Sequence, residues 1–202
     1  MVQGLETVII DSGGANLASL EFALERLGAR TRVSCDPAVI SQAARVLLPG
    51  VGAAADAMRR LNAAGLAGLL PTLTQPVLGI CLGMQLLFEA SEEGPTPCLG
   101  LVPGTVRRLT PRPGLPVPHM GWNQLLPLTP DPLMEGIRPN DYAYFVHSFA
   151  AEVSPATLAT ADYGAPLTAV LRRGNFWGAQ FHPERSAATG ARLLANFLAI
   201  EV

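Results

Sequence analysis

The sequence predicts an α/β fold with a mixed, mostly parallel central sheet, flanking helices, and antiparallel additions in the second half. In the first half, short apolar runs alternate with segments of helical periodicity, as in parallel strands joined by helical crossovers. In the second half, strand-like runs follow one another with few helices between them, which favours antiparallel pairing. A chain of 202 residues can bury one sizeable core, so we expect a single domain over residues 1–202.

The predicted strands of the first half are short apolar runs bounded by turn residues. They are Thr7 to Ile10, Thr31 to Ser34, Val46 to Leu48 and Pro76 to Ile80. Between them, leucines recur at helical spacing from Leu17 to Leu27, and alanine-rich helical sequence runs to about Leu70. Leu82 to Ala90 consists of strong helix formers, so we expect a helix there.

The second half is richer in predicted strands. They are Val102 to Leu109, Tyr142 to Val146, Thr157 to Thr160, Pro166 to Leu171 and Phe176 to Gln180. Proline-rich sequence from Gly94 to Pro118 predicts surface loops within the same domain. A last helix is predicted over Ala187 to Ile200, with its apolar residues on one face and Ser186 as a candidate N-terminal cap.

The composition argues against several classes of protein. Hydrophobic residues make up 49% of the chain and charged residues 15%, which argues against disorder. A net charge of −2 gives no sign of a nucleic-acid or membrane-surface partner. All 14 basic residues are arginines, so no lysine can serve as a base or Schiff-base nucleophile.

The cysteines and histidines do not suggest a metal site or a disulfide framework. Cys35, Cys81 and Cys98 are odd in number and form no CxxC pair, and the three histidines lack metal-ligand spacing, so we expect no cofactor. The N-terminus does not have the pattern of a signal peptide, and no apolar run reaches the length of a membrane span. These features favour the reducing cytoplasm, where a thiol stays free.

One cysteine lies in a G-x-C-x-G pattern between a predicted strand and a predicted helix. In Gly79-Ile80-Cys81-Leu82-Gly83, a sharp turn would expose the central thiol, and the flanking glycines would give it room, as in a nucleophile elbow. A helix N-terminus lowers the pKa of a thiol, and the Leu82 amide could donate to an oxyanion. Taken alone, the pentapeptide fits a buried structural cysteine equally well.

Gln180-Phe181-His182-Pro183-Glu184 supplies a possible base for that thiol. Residues two apart in extended chain project to the same side, and Pro183 favours an extended His182. Glu184 could then orient the imidazole through one ring nitrogen and leave the other nitrogen for the thiol. Taken alone, the His-Pro-Glu triplet also fits an ordinary polar turn.

Two glycine-bearing loops follow predicted strands. Pro49 to Gly52 could present backbone N–H groups to an anion, although a simple turn is the more common explanation of such a loop. Ser12 to Asn16 lacks the spacing of a dinucleotide-binding loop, so we expect a tight turn.

Together, the cysteine and histidine motifs, with Met84-Gln85 after the first, resemble the class I (triad) glutamine amidotransferases. The stretches Pro49–Gly52, Pro118–Asn123 and Tyr144–Ser148 narrow the resemblance to the glutaminase subunits of imidazole glycerol phosphate synthase, which serve histidine biosynthesis. The resemblance covers nearly the whole chain. It departs in the first loop, where the family usually has an aromatic residue, and at Phe149 and Arg185, where tyrosine and lysine are frequent.

The resemblance implies a glutaminase without a cofactor. Cys81 would attack the side-chain carboxamide of glutamine, His182 would transfer protons, and Glu184 would orient His182. The residues implied for the oxyanion hole are Val51, Gly52 and Leu82, and those implied for glutamine binding are Gln85, His147, Ser148 and Phe149.

The resemblance also implies a partner, the (β/α)8-barrel cyclase subunit of imidazole glycerol phosphate synthase. Such a cyclase receives ammonia through a shielded channel, and the glutaminase is typically weak until the cyclase and its ligand bind. Met120, Trp122 and Asn123 are candidate interface residues, since aromatic residues anchor interfaces. Trp122 could instead belong to the core, because Met120 and Leu125 near it are apolar.

Three alternatives stay open. The chain could be the glutaminase of another pathway, such as anthranilate synthesis, but the stretch His119 to Asn123 argues against this. It could be a cysteine peptidase or deglycase-like hydrolase, which the context of Gln85 and His-Pro-Glu disfavours. It could be an idle activator of a partner, but an idle chain need not keep the complete triad.

Cys35 and Cys98 are interpreted as structural or incidental, and Glu92-Glu93 and Arg59-Arg60 as solvated faces.

Overall fold

The computed structural model describes residues 6–11 and 17–201; the predicted turn from Ser12 to Asn16 lies outside them. The strands are β1 (Thr7–Ile10), β2 (Thr31–Ser34), β3 (Arg45–Gly50), β4 (Val77–Cys81), β5 (Phe88–Ser91), β6 (Thr96–Pro97), β7 (Val102–Arg108), β8 (His119–Gln124), β9 (Leu126–Pro127), β10 (Tyr142–His147), β11 (Phe149–Ala150), β12 (Thr157–Asp162), β13 (Pro166–Arg173) and β14 (Phe176–Ala179). The α-helices are α1 (Leu17–Glu25), α2 (Pro37–Ser41), α3 (Ala54–Ala63), α4 (Leu66–Leu69), α5 (Leu82–Gln85) and α6 (Ala187–Ala199). Single 3-10 turns occupy Leu70–Thr72, Pro132–Met134 and Pro183–Arg185.

The main sheet has eight strands in the order β2-β1-β3-β4-β14-β13-β12-β9. Neighbours from β2 to β14 are parallel, whereas the pairs β14–β13, β13–β12 and β12–β9 are antiparallel. This arrangement confirms the predicted mixed sheet and its antiparallel additions. Because β14 pairs directly with β4, segments that are distant in the sequence end side by side.

The core lies on both faces of this sheet because its central strands are mostly apolar and buried along their whole length. In β1, Val8 and Ile10 belong to one buried cluster and Ile9 to the other. In α6, Leu193 and Phe197 are fully buried, which confirms the predicted apolar face. None of the helices within residues 6–11 and 17–201 is long and apolar enough to cross a membrane.

The predicted helix from Leu82 to Ala90 is wrong beyond its first turn. The helix α5 ends at Gln85, and Phe88–Ser91 forms strand β5, which pairs in parallel with β7 and antiparallel with β6. Phe88 and Ser91 are buried in this arrangement. Burial and strand pairing therefore outweigh the weak preference of single residues for a helix.

Ser186 precedes α6 as predicted, but its side chain does not cap the helix. The hydroxyl donates to the His182 carbonyl at 2.7 Å and accepts from the Tyr144 N–H at 2.9 Å. The fully buried Ser186 thus attaches the turn after β14 to strand β10.

Strands β8 and β10 form a two-stranded antiparallel ribbon, of which sequence patterns predicted only β10. Its inner face carries residues such as Phe145 and His147, which are buried. Its outer face carries Met120, Trp122 and Tyr142, which are exposed. One face of the ribbon is therefore buried and the other exposed, as expected when side chains alternate along a half-buried pair of strands.

Candidate active site

Cys81 occupies a strained turn at the end of β4. Its backbone has φ +54° and ψ −112°, a conformation that residues with a Cβ rarely adopt. A Cβ on Gly79 would lie 2.7 Å from the Gly83 carbonyl oxygen, and one on Gly83 would collide with the Leu48 carbonyl. The two glycines therefore let α5 fold back tightly, as predicted for a nucleophile elbow.

His182 and Glu184 lie in the turn after β14. His182 is extended, and the 3-10 turn Pro183–Arg185, rather than the extended chain we expected, returns the carboxylate to the imidazole. Glu184 Oε1 lies 2.9 Å from His182 Nδ1, and both side chains are about nine-tenths buried. The predicted contact between the ring and the carboxylate is therefore present.

The His182 imidazole is held in its charged form. Burial alone would lower its pKa, but hydrogen bonds with Cys81 and Glu184, together with their negative charges, raise the pKa to about 10. His182 is therefore an imidazolium at neutral pH, placed between the Cys81 sulfur and the Glu184 carboxylate. Such a pair can supply both a sulfur nucleophile and a proton donor.

A cleft of about 270 Å³ opens beside Cys81. Its lining residues are Val51, Gly52, Cys81, Leu82, Gln85, Glu93, Val146, His147, Ser148, Phe149 and His182. It thus brings together every residue predicted for the oxyanion hole and for glutamine binding. A larger groove of about 630 Å³ runs along residues 127–137, but no member of the triad lines it. We therefore place the active site at the smaller cleft, where the reactive groups lie.

The interpretation of Glu93 as a solvated residue is wrong. Its carboxylate lines the cleft and accepts a hydrogen bond of 2.8 Å from the Ala54 N–H. Glu92, next to it, is exposed as predicted. No local sequence pattern distinguishes the two acidic residues. They differ only because the loop after β5 turns one of them towards the cleft.

Gln180 is a site residue to which the sequence motif assigned no role. This fully buried amide accepts from Gln85 Nε2 at 3.0 Å, and its own Nε2 lies 3.9 Å from Cys81 Sγ. Gln85 Nε2 also donates to the Phe149 carbonyl at 2.8 Å. Gln85 therefore connects the cleft wall with the environment of the thiol.

The exposed face of the β8–β10 ribbon begins close to this site. Met120 is 65% exposed and Trp122 is 53% exposed, so Trp122 does not belong to the core. Trp122 packs edge-on against Tyr144, and the Arg185 guanidinium lies 4.8 Å from the centre of the Tyr144 ring. Asn123 lies on the opposite face and makes internal hydrogen bonds, and its place at an interface stays a prediction.

Comparisons with known proteins agree with this geometry. The family described as "Glutamine amidotransferase class-I" matches residues 8–200. The imidazole glycerol phosphate synthase subunit HisH of Xylella fastidiosa (strain Temecula1) is 57% identical over 196 residues, covering 97% of this chain and 98% of the relative. The protein of the same name from Xanthomonas axonopodis pv. citri is 56% identical over 193 residues, covering 96% of each chain.

Solved structures share the fold at low sequence identity. A protein described as a glutamine amidotransferase superimposes with a TM-score of 0.73 at 18% identity, covering 96% of this chain and 99% of that one. PurLQS from Thermotoga maritima gives a TM-score of 0.73 at 17% identity, covering 97% and 98%.

Replacing the carboxylate partner should change the titration of His182. Cys81 and Glu184 both raise the pKa of His182, and Glu184→Gln removes the negative charge of the second, so the pKa should move down from about 10 towards 6.5. The imidazolium, which in the wild type persists until the pH rises to about 10, should then lose its proton at lower pH. NMR titration of the His182 ring measures this midpoint. Glu152→Gln, at an exposed carboxylate, is the control, and an unmoved midpoint in Glu184→Gln would contradict the assignment.

Proposed function

Because the chain belongs to the class I glutamine amidotransferase family, we propose that it hydrolyses glutamine at Cys81 and delivers the ammonia to an imidazole glycerol phosphate cyclase. The observation that carries this proposal is the strained Cys81 beside a charged His182 at the edge of a small cleft. A thiolate kept in a narrow cleft suits attack on an amide, which is a poor electrophile.

The first half of the reaction breaks the carbon–nitrogen bond. The Cys81 thiolate adds to the carboxamide carbon of glutamine, and the carbonyl oxygen becomes an oxyanion held by the Leu82 amide and an amide of Val51 or Gly52. The intermediate collapses to a thioester as the His182 imidazolium gives its proton to the departing nitrogen, which leaves as ammonia.

The second half regenerates the thiolate. Neutral His182 takes a proton from water, and the resulting hydroxide adds to the thioester carbon. The carbon–sulfur bond then breaks, and glutamate leaves while Cys81 returns as a thiolate paired with the reprotonated imidazole. Glu184 keeps the ring oriented and stabilises its charge in both halves.

Glutamine recognition uses the lining residues of the cleft outside the triad. Glu93 places a carboxylate there, which matches the α-ammonium group of glutamine. Residues 147–149 also line the cleft, and we assign the backbone of Ser148 and Phe149 to the rest of the amino-acid end of the substrate. Gln85 holds this backbone through the Phe149 carbonyl.

The exposed ribbon face supports the proposed partner. Met120 and Trp122 form an apolar, aromatic patch next to the triad, and aromatic residues of this kind anchor protein interfaces. A partner docked here would cover the site and shield ammonia from bulk water. The names of the relatives at 56–57% identity favour the histidine pathway over anthranilate synthesis.

The central test is ammonia release from glutamine by the purified protein, alone and with the cyclase subunit plus its ribotide ligand. We expect strong stimulation by that pair, and a loss of at least about 10³-fold in Cys81→Ala because no other thiol of the described residues lines the cleft. Activity without stimulation would retain the triad but refute the proposed partner. Ordinary turnover in Cys81→Ala would refute the nucleophile.

Glu93→Gln should weaken glutamine binding more than catalysis. The amide can still accept from the Ala54 N–H but no longer attracts the α-ammonium group, so KM for glutamine should rise about tenfold or more while kcat changes little. Steady-state kinetics of the complex measure both constants. Glu92→Gln, next to it but exposed, should behave like the wild type, and an unchanged KM in Glu93→Gln would refute this recognition.

Trp122→Ala should weaken association with the cyclase. Removing an exposed aromatic anchor should raise the dissociation constant by about 30-fold or more without unfolding the glutaminase. Titration calorimetry of the two subunits measures the change. Val153→Ala removes an exposed apolar side chain elsewhere and should leave the affinity unchanged, whereas unchanged affinity in Trp122→Ala would refute the proposed interface.

A further inference from the structure

The carbonyl of Phe149 is the fixed end of a chain of hydrogen bonds. It accepts from Gln85 Nε2 at 2.8 Å and lies 2.9 Å from His147 Nδ1. A carbonyl oxygen only accepts hydrogen bonds, so His147 must carry its proton on Nδ1. In a neutral ring, Nε2 is then an acceptor.

This assignment sets the direction of each following bond. His147 Nε2 lies 3.0 Å from His119 Nδ1, which must therefore donate. His119 Nε2 is then left to accept, and Asn123 Nδ2 lies 3.3 Å from it. Asn123 also donates to the Asp162 carbonyl at 2.8 Å and accepts from the Gln124 N–H at 2.8 Å, so its amide orientation is determined as well.

The surroundings keep both histidines neutral, as this chain of bonds requires. Burial lowers the pKa of His119 to about 4, and burial together with His119 lowers the pKa of His147 to about 3. The His119 ring is stacked between Phe145, at 4.9 Å, and Tyr163, at 4.0 Å between ring centres. An apolar ring could therefore satisfy the packing here, but it could not make the hydrogen bonds.

We propose that His119 and Asn123 are positioning residues for glutamine, acting through His147 on the backbone of residues 147–149. The inference rests on the proposed function, in which that backbone holds the substrate. Neither His119 nor Asn123 lines the cleft, so their effect is transmitted and not direct. With the Phe149 carbonyl held from both sides, the Phe149–Ala150 peptide is fixed, and the backbone that leads into it from Ser148 presents one orientation to the amino-acid end of glutamine.

The test variant is His119→Phe, studied in the complex with the cyclase. It keeps an aromatic ring between Phe145 and Tyr163 but removes both ring nitrogens. KM for glutamine should rise about tenfold while kcat stays within about twofold. His119→Asn places an amide donor near the former Nδ1 and should restore most of the wild-type KM.

A second readout separates positioning from general damage to the site. Iodoacetamide does not need to bind as glutamine does, so its alkylation rate at Cys81 should be the same in His119→Phe and the wild type; peptide mapping separates this site from the exposed Cys35. A glutamine-shaped diazo ketone must also bind the cleft, so it should label Cys81 about tenfold more slowly in the variant. Equal losses with both reagents would overturn the proposal.

Gln75→Met is the control for lost stability. Gln75 is a buried amide that donates to the Ile40 carbonyl at 3.0 Å and does not line the cleft. Its loss should lower the melting temperature and leave KM unchanged. A comparable rise in KM in Gln75→Met would mean that lost stability explains the effect, and the proposal would fail.

The outcomes distinguish this inference from the proposed function. If folded His119→Phe keeps an unchanged KM, the positioning role is overturned while the glutaminase activity stands. If that variant does not fold, Asn123→Ala is tested instead, and an unchanged KM again overturns the role. A wild-type protein without glutaminase activity refutes the proposed function. The bond directions are tested apart from activity by ¹⁵N shifts of His147, and a proton found on Nε2 would overturn the chain of bonds.

Discussion

The parallel pairing of β4 with β14 is the constraint on which the site depends. Gly79 pairs with Gly178 and Ile80 with Ala179, so the residues that follow each strand leave the sheet at the same edge. Cys81 is the last residue of β4 and His182 lies shortly after the end of β14, which is how groups far apart in the chain become neighbours. The crevice at the carboxyl ends of strands is a general position for sites in such sheets, because the loops there converge while the strands hold them rigid.

The desolvation of charge is the main energetic cost at this edge. The triad is largely buried, and a charged imidazole there is stable because the Cys81 sulfur and the Glu184 carboxylate flank it. Buried amides complete the surroundings: Gln180 lies between Gln85 and the sulfur, and Ser186 attaches the His182 turn to β10. Glu184 Oε2 is buried without a protein hydrogen-bond partner among the described residues, so one oxygen of the orienting carboxylate is unsatisfied.

The β8–β10 ribbon joins two roles because side chains alternate along a strand. Met120 and Trp122 face outwards, whereas His119 faces inwards towards His147 and the cleft wall. The surface proposed for partner binding and the hydrogen bonds proposed to orient glutamine are therefore on opposite sides of one strand. A displacement of that strand would be felt at both, which gives the ribbon a physical means of connecting partner and substrate.

The sequence by itself determined the mixed sheet, its strands of continuous apolar character, and the elbow and His-Pro-Glu motifs, since these depend on local periodicity and on glycines that permit close backbone approach. It did not determine strand β5, the inward face of Asn123, the role of Gln180, or the place of Glu93 in the cleft. Those features depend on which distant segments pack together. Phe88–Ser91 becomes a strand because β7 lies beside it, and Glu93 differs from Glu92 only in the direction it faces once that strand is paired.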